Sequence, residues 1–259
     1  MVNKQKYGIP TVEYEVTDST NERAKVYAKD GWNGEAMLLI ADEQTNGRGR
    51  YSRKFYSKKG AGVYLSLLFK PNSDITNTTS VAALSAISMI KAINEQIDAD
   101  VKIKWVNDLV LGEKKLGGIL IEGSINPKTK AYDYLIAGIG VNLYSREPEK
   151  EILSIATNLE DETGERVNKD DLVCAFVKHF LEGLNFPDSD ELFSAYSARL
   201  ITTKKDVTVK TLTEEYDATA IRLNRDYSLS VITKSGEEKQ IYTGEASVKP
   251  NKEIKNDHY

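Results

Sequence analysis

The segment Glu43-Gln44-Thr45-Asn46-Gly47-Arg48-Gly49-Arg50 alternates glycine with arginine, and Arg53 follows close behind. Glycines let a backbone approach an anion closely, and guanidinium groups offer bidentate donors to a phosphate or a carboxylate. The spacing is neither that of a Walker A loop nor that of a GxGxxG dinucleotide turn. Read alone, the segment is equally a solvated basic loop, and Gly-Arg repeats also occur in nucleic-acid-binding segments. A second cluster, Lys104-Trp105-Val106-Asn107-Asp108, and a third, Lys115-Leu116-Gly117-Gly118-Ile119-Leu120, gather two lysines, an amide, a carboxylate and two close-approach glycines. Taken one residue at a time, these also fit a twisted hairpin with a core tryptophan and surface lysines. A fourth cluster, Gly138-Ile139-Gly140-Val141-Asn142, puts two glycines in a strand, where a flat ligand or a crossing backbone can lie close.

Elements must position these clusters. Thr11 to Val16 reads as a strand, and Ser19 with Glu22 has the capping-box spacing that opens a short helix through about Lys29. Asp18-Ser19-Thr20 therefore stands at a helix N-terminus. Ala36 to Ala41 is an apolar run suited to a buried strand directly before the Gly-Arg loop, and Val63 to Phe69 is the next strand. Val81, Leu84, Ile87, Ile90, Ile93 and Ile97 recur every three or four residues, which predicts a long helix with one buried stripe, started by Thr79 or Ser80. Val101 to Trp105 and Leu109 to Leu111 read as strand, Gly112-Glu113 as a turn, Leu116 to Glu122 as the returning arm of a hairpin, and Tyr132 to Leu143 as a further strand. After a charged loop, Asn168 with Asp171 can cap a helix whose Leu172, Phe176, Val177, Phe180 and Leu184 share a face, and Glu191 to Leu200 adds another. From Lys205 the pattern changes to short alternating segments: Val207 to Leu212, Tyr216 to Leu223, Tyr227 to Thr233 and Gln240 to Val248. They predict a small β-barrel-like domain bounded near Ile201 to Lys205. The charged tail from Lys249 to Tyr259 has no apolar face and is expected to be disordered.

Composition narrows the classes. With 259 residues and 40% hydrophobic residues the chain can build a large domain plus a small one, and a net charge of -4 argues against a global nucleic-acid or membrane surface. Its single cysteine, Cys174, excludes an intramolecular disulfide and is read as a packing residue in its helix, which suits a reducing, cytoplasmic setting. His179 and His258 lie too far apart to read as a metal pair, so no protein-held metal site is expected. Neither a secretion signal nor a membrane span is expected.

In order and spacing, Ser19-Thr20-Asn21, the Gly-Arg loop, the Lys-Trp-x-Asn-Asp block, the Lys-Leu-Gly-Gly block and the Gly-x-Gly-x-Asn strand resemble the biotin protein ligases. The match covers roughly Val12 to Leu143, and Gly244-Glu245-Ala246-Ser247 looks like the family's C-terminal barrel strand. The resemblance implies an α+β fold: a mixed sheet with flanking helices, as in the class II synthetase and lipoate-biotin ligase catalytic domains, plus a small C-terminal SH3-like β-barrel. It divides the chain into a catalytic domain at 1–203 and a barrel with its tail at 204–259. The implied activity joins biotin to AMP with ATP and Mg2+, then hands biotin to a lysine of a biotin carboxyl carrier protein domain of a carboxylase. A homodimer or monomer is implied. DNA binding is not expected, because the first ligase motif arrives within about twenty residues and leaves no room for a helix-turn-helix domain.

The resemblance also implies roles. Ser19, Thr20, Asn21 and Gln44 would hold the ureido end of biotin, with Gly47, Trp105 and Gly118 also on the substrate side. Arg48, Gly49 and Arg50 would lie against the biotin carboxylate and the phosphate. Lys115 would contact biotin and the adenylate phosphate, while Phe55, Asn107 and Asn142 would meet the nucleotide. Lys104 and Asp108 form a second basic-acidic block, a phosphate contact and a magnesium or nucleophile-side carboxylate. Departures from the usual pattern are Ser52 for glycine, Phe55 for tryptophan, Val106 for proline and Gly117 for alanine; none removes a charged residue assigned to the chemistry. A lipoate protein ligase shares the fold type and chemistry with a different arginine-glycine motif, and a catalytically dead paralogue is the other rival.

Overall fold

The computed structural model describes residues 2–72, 77–145, 154–187, 189–211 and 213–249. Eight strands form one mixed sheet: β1 (Val2–Lys4), β2 (Pro10–Thr17), β3 (Met37–Gln44), β4 (Gly62–Phe69), β5 (Lys102–Lys104), β6 (Asp108–Leu111), β7 (Lys114–Ile125) and β8 (Tyr132–Asn142). Their order is β1-β2-β3-β4-β8-β7-β6-β5, with β2 and β3 parallel and every other pair antiparallel. The helices are α1 (Thr20–Lys29), α2 (Thr78–Asn94), α3 (Leu159–Thr163), α4 (Lys169–Gly183) and α5 (Asp190–Arg199).

Strand alternation sorts the side chains. Leu38, Ile40, Val63, Leu65, Leu67, Phe69, Leu135, Ala137 and Ile139 face a core built with α2 and α4. Within it the Phe180 ring meets Phe69 edge-to-face and Phe176 at a tilt, at centroid distances of 5.4 and 5.8 Å. The opposite face carries a smaller cluster of Val12, Ala24, Leu39, Leu68 and Ile136 beneath α1. Helix α2 starts at Thr78, earlier than expected, because Asn77 caps it by accepting from the Thr79 and Ser80 N–H groups. Helix α4 starts as expected behind Asn168, which accepts from Asp170 and Asp171. Cys174 is a correction: it is exposed, and the buried stripe is Leu172, Val173, Phe176, Val177 and Phe180. The charged loop before α4 contains the short α3, which ends on Gly164 at φ 72°.

A second, five-stranded antiparallel sheet holds β9 (Lys205–Lys210), β10 (Glu215–Leu223), β11 (Leu229–Thr233), β12 (Glu238–Ile241) and β13 (Glu245–Val248), in the order β12-β11-β10-β9-β13. The segment expected as one strand from Gln240 to Val248 is two strands at opposite ends of this sheet. The chain turns between them at Gly244, whose φ of 142° few other residues adopt. The core is continuous between the sheets: Trp105 is buried, and its Nε1 donates to the Tyr227 carbonyl at 2.9 Å. Lys249 is tied down by Asp217 at 2.6 Å; residues 250–259, including His258 and the rest of the expected tail, lie outside the described residues, as does Leu212. Among the described residues no helix is long and apolar enough to cross a membrane.

Candidate active site

The site is built on the sheet face that α1 covers in part. Ser66, Gly138 and Leu120 form one cross-strand row, and Tyr64, Gly140 and Gly118 form the next. Ser19, Thr20 and Asn21 stand over this floor, all buried. The helix begins where expected, but the capping box is not made: the Ser19 side chain makes no cap bond, and Glu22 is committed to Lys25 and Arg48. Instead, Asp18 Oδ1 accepts from the Ser19 N–H at 2.7 Å, and Gln44 Oε1 accepts from the Thr20 N–H at 2.8 Å. Burial pushes the Asp18 carboxyl up, but hydrogen bonds from Ser19, Thr17 and Arg23 outweigh it and hold the group below the usual carboxylate range. Gln44 is fixed in turn by donating Nε2 to Ser57 Oγ at 2.8 Å. The buried Ser66 Oγ lies 2.7 Å from Thr20 Oγ1 and 2.5 Å from Asn21 Oδ1. The two β8 glycines make room for side chains of the protein itself. A Cβ at Gly138 would stand 2.2 Å from Asn21 Oδ1, and one at Gly140 would stand 2.4 Å from the Phe55 ring.

The Gly-Arg loop closes a second side. It folds back on itself, with Gly49 N–H donating to Arg53 O and Phe55 N–H to Gly47 O, each at 2.8 Å. Arg48 pairs with Glu22 at 3.2 Å. Arg50 reaches the second sheet: it donates to Gly244 O at 2.7 Å and Thr243 Oγ1 at 3.0 Å, with Asn107 Oδ1 at 3.4 Å. Arg53 pairs with Glu245 at 2.8 Å. On the third side Lys115 Nζ meets Asp108 Oδ1 at 2.6 Å, above Gly118. Asn107 and Asn142 are anchored by their amides, to Ile119 O at 2.8 Å and Thr157 O at 2.9 Å.

These walls enclose a cavity of about 320 Å³, the size of a small-molecule site. It brings together Ser19, Thr20, Asn21, Gln44, Arg48, Gly49, Arg50, Phe55, Asn107, Asp108, Lys115, Gly118 and Asn142. Three expected residues are not on its wall. Lys104 lies across the β5-β6 hairpin from Asp108, and its Nζ is 3.3 Å from Ser247 Oγ of β13. Trp105 is a core residue between the sheets; the peptide that follows it is cis. Gly47 lies behind the wall, where a Cβ would meet Phe55 O at 2.5 Å. At Gly117 a Cβ would meet Gly140 O at 2.4 Å, so the alanine frequent in the family has no room here.

Sequence reasoning missed Ser57, Ser66, Lys54, Tyr56, Ala156 and Glu245, which hold or line the site. Ser66 had a signal: it is the polar residue inside the apolar run Val63 to Phe69. Chemically the cavity is uneven: over the Gly138 row it offers neutral hydrogen-bonding groups and Leu120, and over the Gly118 row it carries the Lys115 cation.

The model of the biotin/lipoate A/B protein ligase family matches residues 13–142, half of the chain. The chain belongs to this family. As a family member it is 32% identical over 173 residues to the bifunctional ligase/repressor BirA of Bacillus subtilis, covering 66% of this chain and 51% of that protein. It is 32% identical over 165 residues to the biotin--[acetyl-CoA-carboxylase] ligase of Paracoccus denitrificans, covering 61% of this chain and 65% of that one. The chain thus spans about half the length of the first of these relatives. Among solved structures, the biotin protein ligase from Aquifex aeolicus in complex with biotin and ATP superposes with a TM-score of 0.76 at 29% identity, covering 92% of this chain and 98% of that one. The α+β architecture with its second sheet is that of the biotin protein ligases.

Proposed function

We propose that this chain is a biotin protein ligase: it joins biotin to the α-phosphate of ATP and transfers the biotinyl group to a lysine of a biotin carboxyl carrier protein domain of a carboxylase. The observation that carries the reading is the pairing in one cavity of a neutral hydrogen-bonding floor with a cationic neighbour, which suits a molecule with a neutral ureido head and an anionic end. The relatives named as ligases, and the similarity to a structure holding biotin and ATP, support it.

In the first half-reaction a carboxylate oxygen of biotin attacks the α-phosphorus, and the bond to the β-phosphate oxygen breaks, releasing pyrophosphate. Two anions must be brought together, so the chief task is electrostatic, and Arg48, Arg50 and Lys115 are the cations on the wall. No general base is needed. In the second half the lysine amine attacks the acyl carbon of the mixed anhydride, AMP departs with the C–O electron pair, and the amine sheds a proton. Asp108 is the carboxylate placed to accept that proton or to orient Lys115. The carrier lysine enters as a neutral amine.

Among the described residues no group of three metal-binding side chains occurs. Mg2+ does not require one, since it is commonly held by one or two carboxylates together with substrate phosphates, and Asp108 fits that donor set. Bound there it would neutralise phosphate charge.

Pyrophosphate exchange with biotin, lipoate and octanoate, compared side by side without any carrier, tests the reading. Exchange is expected with biotin; exchange with lipoate and not biotin would overturn it.

A further inference from the structure

A chain of charge-assisted hydrogen bonds runs behind the cavity, and its middle members, Glu122, Lys25 and Glu22, take part in none of the roles above. Asn21, 5% exposed, turns Nδ2 to Glu122 Oε2 at 2.7 Å. The other oxygen of Glu122 accepts from Lys25 Nζ at 2.7 Å. Lys25 Nζ also reaches Glu22 Oε1 at 2.9 Å, and that oxygen accepts from Arg48 Nη1 at 3.2 Å. Strand β7, helix α1 and the Gly-Arg loop are thereby joined through alternating charges. Glu122 itself is not on the cavity wall.

The carboxylate makes the shortest contact to the donating end of the Asn21 amide. A primary amide has an accepting end and a donating end, and its partners set the orientation. Ser66 supplies a donor at Oδ1, and Glu122 supplies an acceptor-only group at Nδ2, so both partners favour the same orientation. A glutamine at 122 has its own NH2 and would weaken that bias, leaving Ser66 and the Leu120 carbonyl, 3.5 Å from Nδ2, to hold the amide. The charged links are worth more than open surface pairs, because the Lys25, Glu22 and Glu122 side chains are each less than a third exposed. Hydrogen bonding from Lys25, then the charges of Lys25 and Arg48, hold the Glu22 carboxyl below its usual range.

We propose that Glu122 is a positioning residue for the polar end of the cavity, fixing the Asn21 amide, with Lys25 holding Glu122 in place. The proposal rests on the ligase reading of the site. It deepens that reading by assigning selection of a neutral, hydrogen-bonding head group to a carboxylate that does not touch it. Losing Glu122 should therefore act on recognition of biotin and not on that of ATP.

Pyrophosphate exchange on Glu122→Gln, Lys25→Met and Lys25→Arg is the test. Glu122→Gln and Lys25→Met are expected to raise KM for biotin about tenfold, the scale of one lost charge-assisted contact, and to leave KM for ATP near wild type. Lys25→Arg is expected to keep the wild-type biotin KM. Equal rises in both KM values, or an unchanged biotin KM in the Glu122→Gln and Lys25→Met proteins, overturn the proposal. If Glu122→Gln does not fold, Lys25→Met against Lys25→Arg decides it. Wild-type protein that exchanges with lipoate and not biotin overturns the ligase reading instead, before any variant is compared.

Discussion

On one face of the eight-stranded sheet, leucines, isoleucines and phenylalanines meet α2 and α4 and leave no polar floor. On the other face the same strands present Ser66, Gly118, Gly138 and Gly140 to α1 and the cavity. A two-residue period lets one strand serve both. The first face supplies burial and fixes the strands. The second gives up apolar contact so that Asn21, Phe55 and a ligand can approach the backbone. The division predicts that substitutions on the first face cost stability, and those on the second cost recognition or rate.

The largest expected effect tests the first half of that division. Phe176→Ala removes a fully buried ring from α4 and should cost about 3–5 kcal/mol in denaturant unfolding. Folded protein should keep its biotin KM; a large KM change would mean the faces are not separable.

Lys115→Ala tests the second half. Removing a preorganised donor to developing charge costs on the order of 100- to 1,000-fold in rate. Single-turnover adenylate formation and transfer from preformed adenylate should both fall, while Lys104→Ala, turned toward β13, does far less. The reverse ranking would assign the chemistry to the wrong lysine.

Arg50→Gly should retain some adenylate synthesis but release the intermediate, for a loss of about 1.5–3 kcal/mol in retention. Biotinylation of bystander proteins is the readout, and a variant no leakier than wild type would remove Arg50 from that role.

Gly138→Ala places a methyl group against Asn21 Oδ1, and overpacking of this kind costs about 1–3 kcal/mol. The cost should be read in biotin KM more than in ATP KM.

The smallest effect belongs to the periphery of the core face. Asp170 accepts from Tyr7 Oη at 2.7 Å, and that bond, then the Lys6 charge, lowers its pKa. A depressed carboxylate stabilises the fold above its unfolded pKa of about 3.9 and loses that contribution as pH falls through the folded value. Asp170→Asn should therefore cost under about 1 kcal/mol near neutral pH and nothing in strong acid, measured by urea unfolding at several pH values.

Much of this architecture was legible because its signals are periodic. The α2 stripe and the alternating segments after Lys205 have the period of the elements they form, and the run Val63 to Phe69 has the length and continuous apolarity of a strand buried on both faces. Adjacency in sequence was the poorer guide to what lines the cavity. Lys104 and Trp105 stand beside Asn107 and Asp108 in the chain, yet the β5-β6 hairpin carries them toward the second sheet. Ser19 and Glu22 have capping spacing, but Lys25 one turn along the helix and Arg48 from the Gly-Arg loop take up Glu22 instead. The β8 glycines signalled close approach correctly; what approaches is Asn21 and Phe55, which no local pattern encodes.

Arg50 has five N–H donors, and the turn at Thr243 and Gly244 already draws on both of its terminal nitrogens. A phosphate in the cavity would draw on the same guanidinium and compete with the turn for its orientation. Such competition is symmetrical: whatever weakens the hold of the second sheet on Arg50 lowers the cost of anion capture, and capture loosens the second sheet by the same free energy. The β12-β13 turn is thus a counter-ligand, a built-in occupant that shares one guanidinium with an incoming anion.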